Sequence, residues 1–168
     1  MSIFKRKSKE EKDIHNTDIP ANNQSSETKS SGDTMTIADI EKAIEHYRGT
    51  PDAAVLLDVA GLAYLRGDYG AKEDIDKAIS CYESLDALGD LKGRCMWGKC
   101  LQIKGLETGE KFLFSLGCYK IYDSYKNGYD PAIEELRMSY ETGLFENIDS
   151  FEDFLAFCED CSNIKDVN

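Results

Sequence analysis

Asp39-Ile40-Glu41-Lys42-Ala43-Ile44-Glu45-His46-Tyr47 returns 35 residues later as Asp74-Ile75-Asp76-Lys77-Ala78-Ile79-Ser80-Cys81-Tyr82. In each copy the Ile, Ala, Ile and Tyr positions recur at three- and four-residue steps. That spacing lines one face of an α-helix and leaves the acidic residues and the lysine on the other. A helical hairpin repeated at this period cannot cover its own apolar face, so neighbouring units must stack to finish the burial. Consecutive hairpins are therefore expected to share one continuous core, with Tyr47 and Tyr82 in like surroundings.

Working outward, Thr50-Pro51-Asp52 opens a second helical pattern, with Thr50 as N-cap and Pro51 at the first helical position. It runs through Leu56, Leu57, Ala60, Gly61 and Tyr64, and Gly67 closes it as a left-handed residue does. The layout recurs at Asp90 to Lys104, where Trp97, Gly98 and Leu101 take the places of Ala60, Gly61 and Tyr64. It recurs again at Asp130 to Thr142, opened by Pro131, filled by Leu136, Arg137 and Tyr140, and ended by Gly143. Small residues such as Gly61, Gly98 and Ala78 permit close helix approach, whereas Tyr64, Tyr82, Trp97 and Tyr140 fill wider gaps.

The reading is an all-α domain over residues 34–168, an α/α superhelix (solenoid) of stacked antiparallel helix pairs. About seven helices are expected, near 36–47, 52–66, 74–88, 91–104, 110–127, 131–142 and 148–161. The last carries Phe151, Phe154, Leu155, Phe157 and Cys158 on one side and acids on the other, which suits a terminal cap.

Residues 1–33 are rich in Ser, Asn, Thr and Lys and read as a disordered polar tail, because they hold too little apolar surface to offset ordering. Ile3-Phe4 followed by Lys5, Arg6, Lys7 and Lys9 could touch an anionic membrane weakly, but a plain solvated tail is the expectation. The tail carries six basic and six acidic side chains, so the whole net charge of −12 belongs to the repeat domain. An acidic body disfavours nucleic acid and suits neutral or cationic partners. Six cysteines are too few for a disulfide scaffold, and four of them, Cys81, Cys95, Cys100 and Cys118, fall inside helical patterns. They read as reduced and the protein as cytoplasmic, with neither an apolar run of membrane length nor a secretory h-region.

Ala60-Gly61-Leu62-Ala63-Tyr64-Leu65-Arg66-Gly67, followed by Asp74, Lys77-Ala78, Tyr82 and Gly89, resembles the Sel-one-like repeat, a relative of the tetratricopeptide repeat. The pattern is L-G-x-x-Y-x-x-G, D-x-x-K-A, W-Y and a closing Gly, and the resemblance spans about residues 36–143. Later units depart from it: Arg137 replaces a glycine, Leu101 a tyrosine, and Gly105 is displaced by one residue. The resemblance implies a right-handed superhelix that serves as an adaptor for other proteins, in bacteria often within signalling, envelope or host-contact assemblies. It also implies that the first helix of each pair lines a concave inner side. Counting from Gly61, Gly98 and Arg137 then selects candidate partner contacts. They are Asp58, Leu62 and Leu65 in the first unit, Cys95, Lys99 and Gln102 in the second, and Glu134, Met138 and Glu141 in the third. Such a face would take an extended or helical peptide bearing apolar anchors and basic residues.

Catalytic arrangements are not evident, and nothing in the chain points to an enzyme, a cofactor or a metal site. The histidines are His15 in the tail and His46, whose slot reads as packing or surface. Cys158-Glu159-Asp160-Cys161 is the one short motif with thiol-redox or metal potential, but the further ligands of a zinc site are missing, and Cys158 reads as a buried helix residue. Gly67-Asp68-Tyr69-Gly70 is a turn and not a phosphate loop, lacking the Lys-Ser or Lys-Thr pair. Glu134-Glu135 and Glu152-Asp153 are adjacent on helices and point to different faces. The leading expectation is thus a protein-interaction module. The alternatives are an immunity-type inhibitor of a basic toxin, favoured by the charge, and a thiol role at Cys158 and Cys161.

Overall fold

A computed structural model describes residues 34–142, 144–145 and 147–161. The N-terminal tail, with His15 and the Ile3-Phe4 tip, and the helix stop expected at Gly143 lie outside the described residues. Among those described there are seven α-helices and no strand: α1 (Ile37–His46), α2 (Pro51–Arg66), α3 (Ile75–Ala87), α4 (Leu91–Thr108), α5 (Lys111–Lys126), α6 (Ala132–Glu141) and α7 (Phe151–Asp160). Each packs on the next in antiparallel pairs, the arrangement the repeat requires.

Local chemistry sets the ends. Thr36 and Asp39 form a capping box on α1, the Asp39 carboxylate accepting the Thr36 N–H at 3.0 Å. Asp74 caps α3 by accepting the Lys77 N–H at 3.0 Å, and Asp90 caps α4 by accepting the Gly93 N–H at 2.7 Å. The matching aspartates therefore play different parts: Asp39 sits one turn inside α1, whereas Asp74 precedes α3. Thr50 has N-cap backbone geometry, but its hydroxyl donates back to the Tyr47 carbonyl at 2.7 Å, and Pro51 supplies the preset first turn. Gly67 ends α2 at φ 71°, followed by a 3₁₀ turn over Asp68–Gly70 in place of any phosphate-binding loop.

Helix α4 departs from expectation. It continues past Gly105 to Thr108 and stops at Gly109 with φ 75°. Gly105 is buried inside the helix, because a Cβ there would stand 2.7 Å from the backbone nitrogen of Phe114 at the start of α5. The glycine serves packing and not termination. Gly61 admits the Tyr82 ring, and Gly98 admits the backbone of α5 at Gly117, as small residues at those positions led one to expect. Arg137, in the equivalent slot of α6, instead stacks 4.7 Å over the Phe151 ring, so α7 meets α6 at side-chain distance and settles against α5.

The core is divided, not continuous. One buried cluster joins Leu57, Tyr64, Ala78, Tyr82, Leu85 and Cys100; the other joins Cys95, Phe114, Cys118, Ile121, Leu136, Phe154 and Cys158, among others. Helix α4 is the wall between them, giving Cys100 to one side and Cys95 to the other. The Tyr47–Tyr82 equivalence also fails. Tyr82 is fully buried in mid-helix between α2 and α4, while Tyr47 is 40% exposed. The reason is length: α3 runs on to Ala87, whereas α1 ends at His46 and leaves Tyr47 as its C-cap with one neighbouring wall, α2.

Polar straps cross the stack. The Tyr64 hydroxyl donates to Glu41 of α1 and accepts from Lys77 Nζ of α3 at 3.2 Å. Arg94 of α4 forks to Asp86 of α3 at 2.5 Å and Asp123 of α5 at 2.7 Å. No helix among the described residues is long and apolar enough to cross a membrane.

Candidate partner-binding groove

The first helices of the three pairs lie side by side, as their bridging contacts establish. Lys92 of α4 reaches Asp58 of α2 at 2.6 Å, and Asp58 holds the Lys92 ammonium above its usual range. Lys99 of α4 reaches Glu135 of α6 at 2.8 Å, and three residues on, the Gln102 amide donates to Ser139 Oγ at 2.9 Å. The same Gln102 nitrogen lies 3.1 Å from Cys118 Sγ, tying the row down onto α5.

These bridges sort the nine expected contact residues. Asp58, Lys99 and Gln102 are each engaged with the neighbouring first helix. Leu62 and Leu65 are half-buried, and Leu65 packs against the first core cluster. Cys95 is not an accessible contact at all: it is buried in the second cluster, and burial pushes its thiol up to about 11. Glu134, Met138 and Glu141, at i, i+4 and i+7 on α6, are the three that stand open, Met138 being 53% exposed.

Beside Met138 runs a groove of about 160 Å³ between α4 and α6, with Ile103, Leu106 and Phe114 as its apolar lining and Lys99, Gln102, Glu135, Ser139 and Thr142 along it. Exposed acids neighbour its lining residues in the chain: Glu107 follows Leu106, Glu110 lies one turn before Phe114, Glu134 precedes Glu135 and Glu141 precedes Thr142. Counting from the glycine positions missed Ile103, which lies inside the expected helix but off the counted positions, and Leu106, which lies beyond the stop expected at Lys104. A helical phase carried one turn further would have placed Leu106 four residues after Gln102. A second, larger cavity adjoins the groove at Leu106 and Phe114.

Reactive groups elsewhere are quiet. His46 is exposed at the end of α1, its ring edge-on to Tyr47 at 4.8 Å. Glu134 is exposed and 3.9 Å from Arg137 on its own helix, whereas Glu135 reaches Lys99 of α4, so the two adjacent acids do face different ways. Cys158 and Cys161 are both buried; a contact with Cys118 and then burial raise Cys158, and burial pushes Cys161 up to about 11. Neither thiol is poised as a thiolate at neutral pH. Among the described residues no cluster of three or more His, Cys, Asp or Glu could hold a metal ion.

Compared with family models, curated proteins and solved structures, the chain finds no match.

Proposed function

We propose that this chain is a non-catalytic protein-interaction module that captures a peptide or helical segment along the α4–α6 groove. The observation that carries this reading is the pairing of solvent-exposed Ile103, Leu106 and Met138 with the exposed acids Glu107, Glu110, Glu134 and Glu141. An apolar strip with exposed acids beside it, its lining Lys99 already engaged by Glu135, is what a helix-in-groove or extended-peptide site offers, with anchors for affinity and charge for steering. The partner segment carries apolar anchors and basic residues. The resemblance of residues 60–89 to a Sel-one-like repeat supports the same reading. The six free thiols accord with a cytoplasmic site of action.

The test is capture from native cell extract with the full chain as bait, beside a variant carrying Met138→Asp, Glu134→Lys and Glu141→Lys. All three side chains are exposed, so the thermal midpoint should stay nearly constant while specific capture disappears. Equal capture by both baits rules the reading out. Asp58 is left intact, because its reversal would break the Lys92 bridge and confuse folding with binding.

A further inference from the structure

We propose that the larger cavity, beneath the α4–α5 turn and against α7, is a separate binding site for an amphipathic anion: an aliphatic body with a carboxylate-type head. The space is about 580 Å³, within the roughly 300–1,000 Å³ typical of small-ligand sites. Phe114, Phe145, Ile148 and Phe157 form apolar walls around it, and Leu106 and Leu144, 54% and 52% exposed, stand at the cavity's edge.

The chain keeps this space open by construction. Two positions of the lining, Gly105 and Gly109, have no side chain to put into it. At Gly105 none could be added, since a Cβ would strike the Phe114 backbone. The close approach of α4 and α5 at Gly105 thus holds Phe114 at the cavity wall, and a larger residue at that point would separate the two helices.

The polar groups of the lining select the head. Of the described residues that line the cavity, Lys111 is the one with a charged side chain, the exposed Glu107 and Glu110 being neighbours in sequence that do not line it, and Ser115, four residues on, lies on the same face of α5 and offers a hydroxyl. The net charge of −12 acts over distance and is screened within about 8 Å at physiological salt, whereas Lys111 acts at contact. An apolar cation gains nothing from Lys111, and a neutral alcohol gains only the apolar term. The site thus differs in ligand class from the peptide groove, and it stands whether or not that reading does.

The probes are decanoate, decan-1-ol and decyltrimethylammonium, titrated into the full chain and followed by calorimetry and amide chemical shifts. Decanoate should bind with shifts centred on residues 105–115 and 144–157. It should bind about fivefold tighter than the alcohol, the size of one exposed ion pair, and the ammonium should bind weakest. Lys111→Gln, an exposed change that leaves the fold intact, should bring decanoate down to the level of the alcohol; Ser115→Trp should remove binding of all three. No decanoate binding at millimolar concentrations, equal binding of decanoate and the ammonium, shifts confined to other helices, or an unchanged decanoate affinity in Lys111→Gln would each overturn the proposal. Should Ser115→Trp unfold, the Lys111→Gln comparison still decides.

Discussion

Gly98 and Gly117 face each other across the α4–α5 crossing so closely that a Cβ on Gly98 would stand 2.6 Å from the Gly117 carbonyl oxygen, and one on Gly117 2.5 Å from the Gly98 oxygen. The obstacle on each side is backbone, which no rotamer change can move aside. Gly98→Ala and Gly117→Ala should therefore each cost about 1–3 kcal/mol, although alanine is the better helix former by about 1 kcal/mol. Urea unfolding monitored by circular dichroism measures this directly; a stabilised Gly98→Ala would mean that the helices are not in backbone contact.

Arg94 should behave as a structural cation. Its fork joins Asp86 and Asp123, and the side chains of Arg94 and Asp86 are largely shielded. Arg94→Met leaves two carboxylates partly buried with less compensation, for an expected loss of about 2 kcal/mol after allowing for residual solvent. The loss should shrink when Asp86→Asn and Asp123→Asn are combined with it, a coupling that a mutant cycle reads out.

Alkaline pH should weaken the fold. Burial pushes Cys81, Cys95 and Cys161 up to about 11 and Cys100 up to about 12, against about 8.5 for a free thiol. Between those values the unfolded chain has released thiol protons that the folded chain still holds, so the unfolded state binds fewer protons and stability falls as pH rises. The contribution is whole below about pH 8 and is lost progressively towards pH 11–12. Tyr82, raised by burial and by Asp58, acts in the same sense. Urea midpoints at pH 8 and pH 10 under reducing conditions should differ accordingly, and Cys100→Ala should flatten the dependence; a midpoint that is insensitive to pH would contradict the burial of these groups.

Thiol reagents should distinguish one cysteine from five. Cys81 is half-exposed, while Cys95, Cys100, Cys118, Cys158 and Cys161 are buried. With a water-soluble aromatic disulfide the native chain should label first at Cys81, the remainder reacting only at the rate of unfolding, as mass mapping of early adducts would reveal. Fast labelling of Cys158 or Cys161 would revive a thiol role for that pair.

Much of the fold was legible because period and punctuation are local. Ile40, Ala78 and Tyr82 announce a buried stripe, Pro51 and Gly67 bracket α2, and Asp74 and Asp90 sit at true N-caps. What escaped depends on neighbours. Gly105 has the same local signature whether it stops a helix or receives Phe114, and only the position of α5 decides. Tyr47 repeats Tyr82 in sequence, yet burial requires a second wall that α1 lacks among the described residues. Counting cannot tell that Lys99 is engaged by Glu135 or that Cys95 turns inward. The apolar cavity was invisible, since its walls come from α4, α5, α7 and the residues Leu144, Phe145 and Ile148, segments distant in the chain.

The division of the interior by α4 has a consequence for how the molecule fails. Two half-domains that lean on one common partition cannot melt independently: damage on either side loosens the helix on which the other side rests. A lesion near Tyr82 should thus propagate to α7 by way of Cys100 and Cys95, on opposite sides of a single rod, and α4 is the place where a folding nucleus would serve both halves at once.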